Sequence, residues 1–214
     1  DQVFVFTPKG KLVGLVGGDH STPYGLIRAL GKYHDSFGIL HIDAHCDLRE
    51  KYEGFIFSHA SIMHNVLHDV RQVEHIVQVG VRDFSQAEKQ LAESSGRVTQ
   101  FDDQRLLEAE FAGRTWDDMC REIISTLPEK VYISFDIDGL DLPYCPHTGT
   151  PVPGGLSFNK AVRLLQLLGR ERRIIGFDMV EVCPSETDHI DASVGARILW
   201  KLCGQTLLSN QNNA

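Results

Sequence analysis

Three potential metal ligands spaced two apart stand at the end of an apolar run. Phe37 to Ile42 leads straight into Asp43-Ala44-His45-Cys46-Asp47. In a strand, residues i, i+2 and i+4 share a face, so Asp43, His45 and Asp47 can converge on one point. Carboxylates gathered on one face repel one another and are costly to desolvate without a counter-charge. A divalent cation is the simplest counter-charge. Alone, the same residues also fit a strand running out into a solvated acidic loop. The arrangement recurs, however. Val131 to Phe135 ends in Asp136-Ile137-Asp138, Leu12 to Val16 ends in Gly17-Gly18-Asp19-His20, and Arg173 to Val182 carries Asp178 and Glu181 near its end.

His20, Asp43, His45, Asp47, Asp136 and Asp138 together offer four carboxylates and two imidazoles, a hard-donor set sufficient for more than one cation. Cys46 lies between ligands in the alternation and is expected to face away. Oxygen and nitrogen donors without thiolate favour Mn²⁺ over zinc. Two such ions about 3.5–4 Å apart would hold a bridging hydroxide, a strong nucleophile at neutral pH. The residues alone therefore point to a binuclear metallohydrolase and select no substrate.

The elements that must position these groups alternate between strand and helix. Val3 to Phe6 reads as a first short strand before Thr7-Pro8-Lys9-Gly10. Ser21 or Thr22 is expected to cap a helix with Pro23 near its first position. His59 to Val70 reads as one helix, Ile76 to Val81 as a strand, and Ser85-Gln86-Ala87-Glu88 as a capping box opening a helix to about Glu93. Arg97 to Phe101 is a candidate strand, and Thr115 starts a helix facing inward with Trp116, Met119, Ile123, Ile124 and Leu127. A Pro- and Gly-rich loop fills 139 to 156. Ser157 to Leu168 is a helix closed by Gly169, and Asp191 caps the last one. His64, His68 and His75 read as solvated. Strands that are continuous apolar runs, alternating with helices, imply a largely parallel sheet covered on both faces. Ligands of such sheets bind beyond the C-terminal strand ends. Every candidate ligand lies there.

Composition narrows the function classes. A net charge of −8 without a Lys/Arg block argues against nucleic-acid or anionic-membrane partners. No apolar run has the length to span a bilayer. The five cysteines are odd in number, scattered and without Cys-x-x-Cys, which suits a reducing compartment and a cytoplasmic protein.

Gly17-Gly18-Asp19-His20-Ser21, Asp43-Ala44-His45-Cys46-Asp47 and Ser134-Phe135-Asp136-Ile137-Asp138-Gly139-Leu140-Asp141 resemble the three signature motifs of the arginase/agmatinase (ureohydrolase) family. Thr148 to Leu156 and Asp178-Met179-Val180-Glu181-Val182 are similar to further family segments in the same order, so the likeness covers nearly the whole chain. The resemblance implies one domain over 1–214 with a three-layer α/β/α fold. It also implies a Mn²⁺ pair and hydrolysis of a small guanidino substrate to urea and an amine. By that likeness His20, Asp43, Asp47 and Asp136 would hold one ion and Asp43, His45, Asp136 and Asp138 the other. Glu181 matches the guanidinium-binding carboxylate, His59 a histidine thought to pass a proton to the leaving amine, and Thr150 a substrate-contacting threonine. A homo-oligomer, trimer or hexamer, is the family expectation.

Two departures bear on substrate. Where arginases carry an asparagine and an aspartate for the amino-acid head group, this chain has Arg49 and Ser85. Asp47 to Gly54 followed by Ser58-His59-Ala60-Ser61 looks instead like the agmatinase branch, whose substrate would give putrescine and urea. Arg49 would be unhelpful beside a cationic amine, so it either turns away or meets an acidic substrate such as guanidinobutyrate. Guanidinobutyrase, formimidoylglutamase, arginase and a non-catalytic metal-stabilised member remain the alternatives. Family members usually have a sizeable segment ahead of the Gly-Gly-Asp-His motif, and only nineteen residues precede His20 here. The N-terminal part is expected to be cut or unseen rather than dispensable.

Overall fold

The computed structural model describes residues 11–211, so the Val3–Phe6 expectation lies outside the described residues. Six strands, β1 (Val13–Val16), β2 (Phe37–Ile42), β3 (Val73–Val79), β4 (Val98–Phe101), β5 (Lys130–Asp136) and β6 (Arg173–Val180), form one sheet in the order β1-β6-β5-β2-β3-β4. Every pairing is parallel. All six residues of β2 are buried, as a central strand covered on both faces requires. β1 alternates between half-buried and exposed.

Two apolar layers flank the sheet. One joins α1 (Tyr24–Leu30), α2 (Ile62–Asp69, entered through a 3₁₀ turn His59–Ser61) and α3 (Gln86–Ser95) to it, through Ile27, Leu30, Met63, Val66, Ala92, Ile39 and Ile76. The other is built by α4 (Asp103–Phe111), α5 (Trp116–Ser125), α6 (Phe158–Glu171) and α7 (Ile190–Gln211), through Leu106, Ile123, Leu164, Leu168, Ile198, Leu40 and Ile133. The three-layer α/β/α architecture is thus as expected. From β2 the chain winds outward to β3 and β4, then returns to place β5 on the other side of β2. Reversed winding sends the right-handed crossovers to opposite faces and leaves a crevice between the C-terminal ends of β2 and β5.

Local expectations fare unevenly. The Ser85 capping box is present in full, and Thr115 and Ser157 cap their helices. Neither Ser21 nor Thr22 caps α1. Pro23 occupies the N-cap position and offers no side-chain acceptor. Gly169 does not end α6, which runs on to Glu171; the glycine is there because a Cβ would lie 2.8 Å from the Gln205 side chain of α7. Asp191 does not cap α7. Its carboxylate accepts from the His147 amide and ring, while Asp188 accepts from the Ile190 amide. His75 is not merely solvated, since its Nε2 meets Thr99 Oγ1 at 2.7 Å. Helix α4 escapes the apolar pattern because Leu106 is its one buried residue. The signal that could have found it is Asp102, whose side chain caps the Arg105 amide.

Candidate metal centre

The strand alternation that brings Asp43, His45 and Asp47 together on paper is not what brings them together in space, for β2 stops at Ile42. Asp43 is held by its own backbone: the His45 amide donates to Asp43 Oδ1 at 2.6 Å. Asp47 adopts φ 54°, a left-handed conformation uncommon outside glycine, and turns its carboxylate back toward His20. Glu181, at φ 59°, is strained in the same way. Such outliers gather where surrounding structure over-determines the backbone, often at functional sites. Cys46 faces away as expected, into the α1–α3 apolar layer, its sulfur accepting from Gln100 Nε2 of β4.

All six candidate ligands converge at the crevice. His20 Nδ1 lies 3.0 Å from Asp43 Oδ2, 3.1 Å from Asp47 Oδ2 and 3.2 Å from Asp136 Oδ2. On the other side, His45 Nδ1 lies 3.4 Å from Asp43 Oδ1 and 3.2 Å from Asp138 Oδ2. The donors fall into two groups that share Asp43, one around His20 and Asp47, one around His45 and Asp138. Each oxygen of Asp43 serves one group. Ser134 Oγ donates to Asp178 Oδ1 and so accepts from His20 Nε2–H at 2.9 Å. Nδ1 is thereby turned toward the carboxylates, the orientation a metal ligand needs once the ring sheds its proton.

The charges here are far from their ordinary values. Burial opposes a charged His20 ring, yet Asp136, Asp43 and Asp47 more than reverse this and hold it well above its usual range. Burial likewise opposes the His45 proton, while Asp138 and Asp43 push that ring up to about 11. Burial would raise Asp43, but His41, His20 and His45 outweigh it and keep its carboxyl well below the usual range. Burial and then Asp43 raise Asp47, and burial, Asp138 and Asp43 raise Asp136 well above the carboxylate range. His20 Nδ1, Asp47 Oδ2 and Asp138 Oδ2 are buried without a hydrogen-bond partner. Orphaned donors in both groups, with mixed oxygen and nitrogen chemistry, fit a pair of divalent cations.

Beside the centre lies a cavity of about 200 Å³, lined by His45, Asp47, Arg49, His59, Asp83 and Thr150 among others. His59 Nδ1 stands 3.3 Å from Asp19 Oδ2 and its ring packs edge-on against Tyr52. Arg49 reaches the cavity mouth but is not a free charge. Its Nε lies 3.6 Å from the buried Glu88 carboxylate and its guanidinium sits over Tyr52. Glu181 is on the His20 side, outside that lining, where its Oε1 accepts from the His20 amide at 2.7 Å. Burial raises its carboxyl.

Three participants lie beyond the sequence reading. Arg82 donates to the carbonyls of Gly80, Asp138, Leu140, Val152 and Pro153, tying the Pro/Gly loop that carries Thr150 to the end of β5. Asp19 faces His59. Buried His41 touches Asp43 from within β2.

Known proteins resemble this chain over most of its length. The chain matches the family model described as Arginase family over residues 2–204. It is 36% identical over 195 residues to an N(1)-aminopropylagmatine ureohydrolase of Thermus thermophilus, covering 91% of this chain and 62% of that protein. An agmatinase of Pyrococcus horikoshii is 32% identical, with 89% and 62% covered. Among solved structures, the agmatine ureohydrolase of Thermoplasma volcanium superposes with a TM-score of 0.80 at 27% identity, over 100% of this chain and 68% of that one. The chain thus spans about three-fifths of the length of these curated relatives. No helix among the described residues is long and apolar enough to cross a membrane.

Proposed function

The chain belongs to the arginase family, and from that premise we propose that it is a ureohydrolase that cleaves agmatine to putrescine and urea. The observation that carries this reading is the double cluster sharing Asp43 at the strand-end crevice, opening beside a cavity that holds His59 and Thr150. A pair of Mn²⁺ ions held by His20, Asp43, His45, Asp47, Asp136 and Asp138 would supply an activated water nucleophile at neutral pH and polarise the scissile carbon. The protein's own groups do the rest. Glu181 pairs its carboxylate with the planar guanidinium, a bidentate match. His59, steadied by Asp19 and Tyr52, passes a proton to the departing amine nitrogen. Thr150 orients the substrate from the loop that Arg82 fastens.

The substrate class follows from what the cavity mouth offers. Arg49 is countered by Glu88, and Asp83 stands 66% exposed at the same mouth, so a cationic tail meets a carboxylate there. Arg49 and Ser85 stand where arginine's head group would need other partners. The Thermus relative's name makes an N1-aminopropyl-extended agmatine the second substrate to test. This reading takes the chain as one catalytic domain of a cytoplasmic homo-oligomer. The deciding assay is urea release by the Mn²⁺-loaded full-length protein on agmatine, N1-aminopropylagmatine, arginine and guanidinobutyrate. Turnover of the amine-tailed substrates is expected; activity confined to an acid-bearing guanidine would overturn the assignment and place Arg49 in substrate recognition.

A further inference from the structure

Asp43 belongs to both donor groups of the centre, so whatever fixes its two oxygens helps set the geometry of both. Oδ1 is fixed by the His45 amide. Oδ2 is fixed by His41, whose Nε2 lies 2.8 Å away. His41 is fully buried within β2, and its proton can be assigned from its neighbours. Gln78, on the adjacent strand β3, points its side-chain nitrogen at the Cys46 carbonyl at 2.7 Å, an atom that can only accept. Gln78 Oε1 accepts from Gln100 Nε2 on β4 at 2.9 Å. The atom of Gln78 facing His41 Nδ1 at 3.0 Å is therefore an N–H donor. His41 Nδ1 accepts, Nε2 carries the hydrogen, and that hydrogen points to Asp43 Oδ2.

We propose that His41 is a positioning residue, held in one tautomer by a Gln100–Gln78 relay across β4 and β3, that donates to Asp43 Oδ2 and orients this shared carboxylate toward the ion on the His20 side. The inference rests on the metal-centre reading above. With its Nε2 protonated, His41 cannot itself ligate an ion, although it lies among the donors of the first group. Partners of this kind fix the orientation of ligating groups, and their loss typically weakens metal affinity by ~10–100-fold. Since His41 acts on Oδ2 alone, the effect falls on one ion: Oδ1, and with it the His45–Asp138 side, keeps its backbone donor.

The test is calorimetric titration of Mn²⁺ into the metal-stripped full-length protein and into His41→Phe, His41→Gln and Gln78→Leu variants, with the unfolding midpoint of each metal-free form alongside. Wild-type protein that binds no Mn²⁺ would overturn the metal-centre reading itself. Given two wild-type sites, the expected result is that His41→Phe weakens one by at least tenfold while the other changes less than threefold. His41→Gln, which restores an N–H donor, should recover most of the loss, and Gln78→Leu should weaken the same ion. Two unchanged affinities in His41→Phe would refute the proposal, whatever the unfolding midpoint does. Loss of the same ion in both His41 variants with no effect of Gln78→Leu would also refute it, by making His41 a ligand.

Discussion

Gly139 follows the second acid of the Asp136–Asp138 pair and packs against the end of β2. A Cβ at this position would stand 2.7 Å from the Asp43 amide nitrogen, 2.8 Å from Ile42 Cγ2 and 2.9 Å from the Ile42 carbonyl carbon. Two of those three neighbours are backbone and cannot swing aside. Reaching the 3.4 Å of ordinary contact with the Asp43 nitrogen requires about 0.7 Å of movement between the ends of β2 and β5. Overpacking of this kind costs ~1–3 kcal/mol, which for a chain of this size lowers Tm by roughly 2–4 °C per kcal/mol. The displacement also exceeds the ~0.5 Å tolerance of a preorganised site, and it falls on Asp43, which belongs to both donor groups. Gly139→Ala should therefore melt roughly 2–12 °C lower and bind both Mn²⁺ ions more weakly. Gly18→Ala, where a Cβ meets nothing within 4 Å, is the matched control and should resemble wild type. Differential scanning calorimetry of the metal-free proteins and Mn²⁺ titration provide both readouts. A Gly139→Ala protein with wild-type melting and affinity would refute the claim that close approach of the two strand ends sets the position of Asp43.

Arg82→Lys should cost about 2–4 kcal/mol and raise KM more than it lowers kcat. A point-charge ammonium cannot reproduce the guanidinium fork that holds five carbonyls, and urea denaturation with steady-state kinetics checks both effects. Glu181→Gln keeps an acceptor for the His20 amide but removes the charge. A kcat/KM loss of at least ~30-fold, from the ~2–5 kcal/mol of an uncompensated buried charge, should come with Mn²⁺ affinity nearly unchanged; parallel losses in both would place Glu181 in the metal site instead. His45 holds its proton up to about 11 without metal and must lose it to ligate. Mn²⁺ binding should therefore release protons and tighten as pH rises from 6 to 8, seen as a calorimetric enthalpy that depends on the buffer's ionisation heat. In the metal-free protein the sign is opposite: the raised His45 value stabilises the fold below the ordinary histidine pKa and loses that contribution as pH rises through about 11. Alkaline titration should accordingly lower Tm in the stripped protein more than in the loaded one.

Much of the centre is legible in the sequence because the end of a strand is a local event. An apolar run that stops at a carboxylate marks both the strand and the residue at its mouth, as Ile42-Asp43 and Phe135-Asp136 do. The same logic places His20 after β1 and Glu181 after β6. Helices with a capping residue and a clear apolar face were readable too. Glycine and aspartate whose roles neighbours decide were not: Gly169 makes room for Gln205 inside α6 rather than ending it, and Asp191 is diverted from capping by His147.

That acids and imidazoles crowd one edge of a parallel sheet is readable from contiguous residues, since hydrophobic periodicity and ligand spacing are local properties. That β2 and β5 are neighbours, and so that Asp43 and Asp136 stand side by side, is set by strand pairing over long range. Packing of distant segments likewise brings Asp47 in by a left-handed turn, sets Glu88 against Arg49, and lets Arg82 fasten the loop of Thr150. His41 shows the reason most plainly. In sequence it is one polar residue within an apolar strand, and its role exists only because Gln78 and Gln100 lie beside it on strands whose pairing is a non-local event.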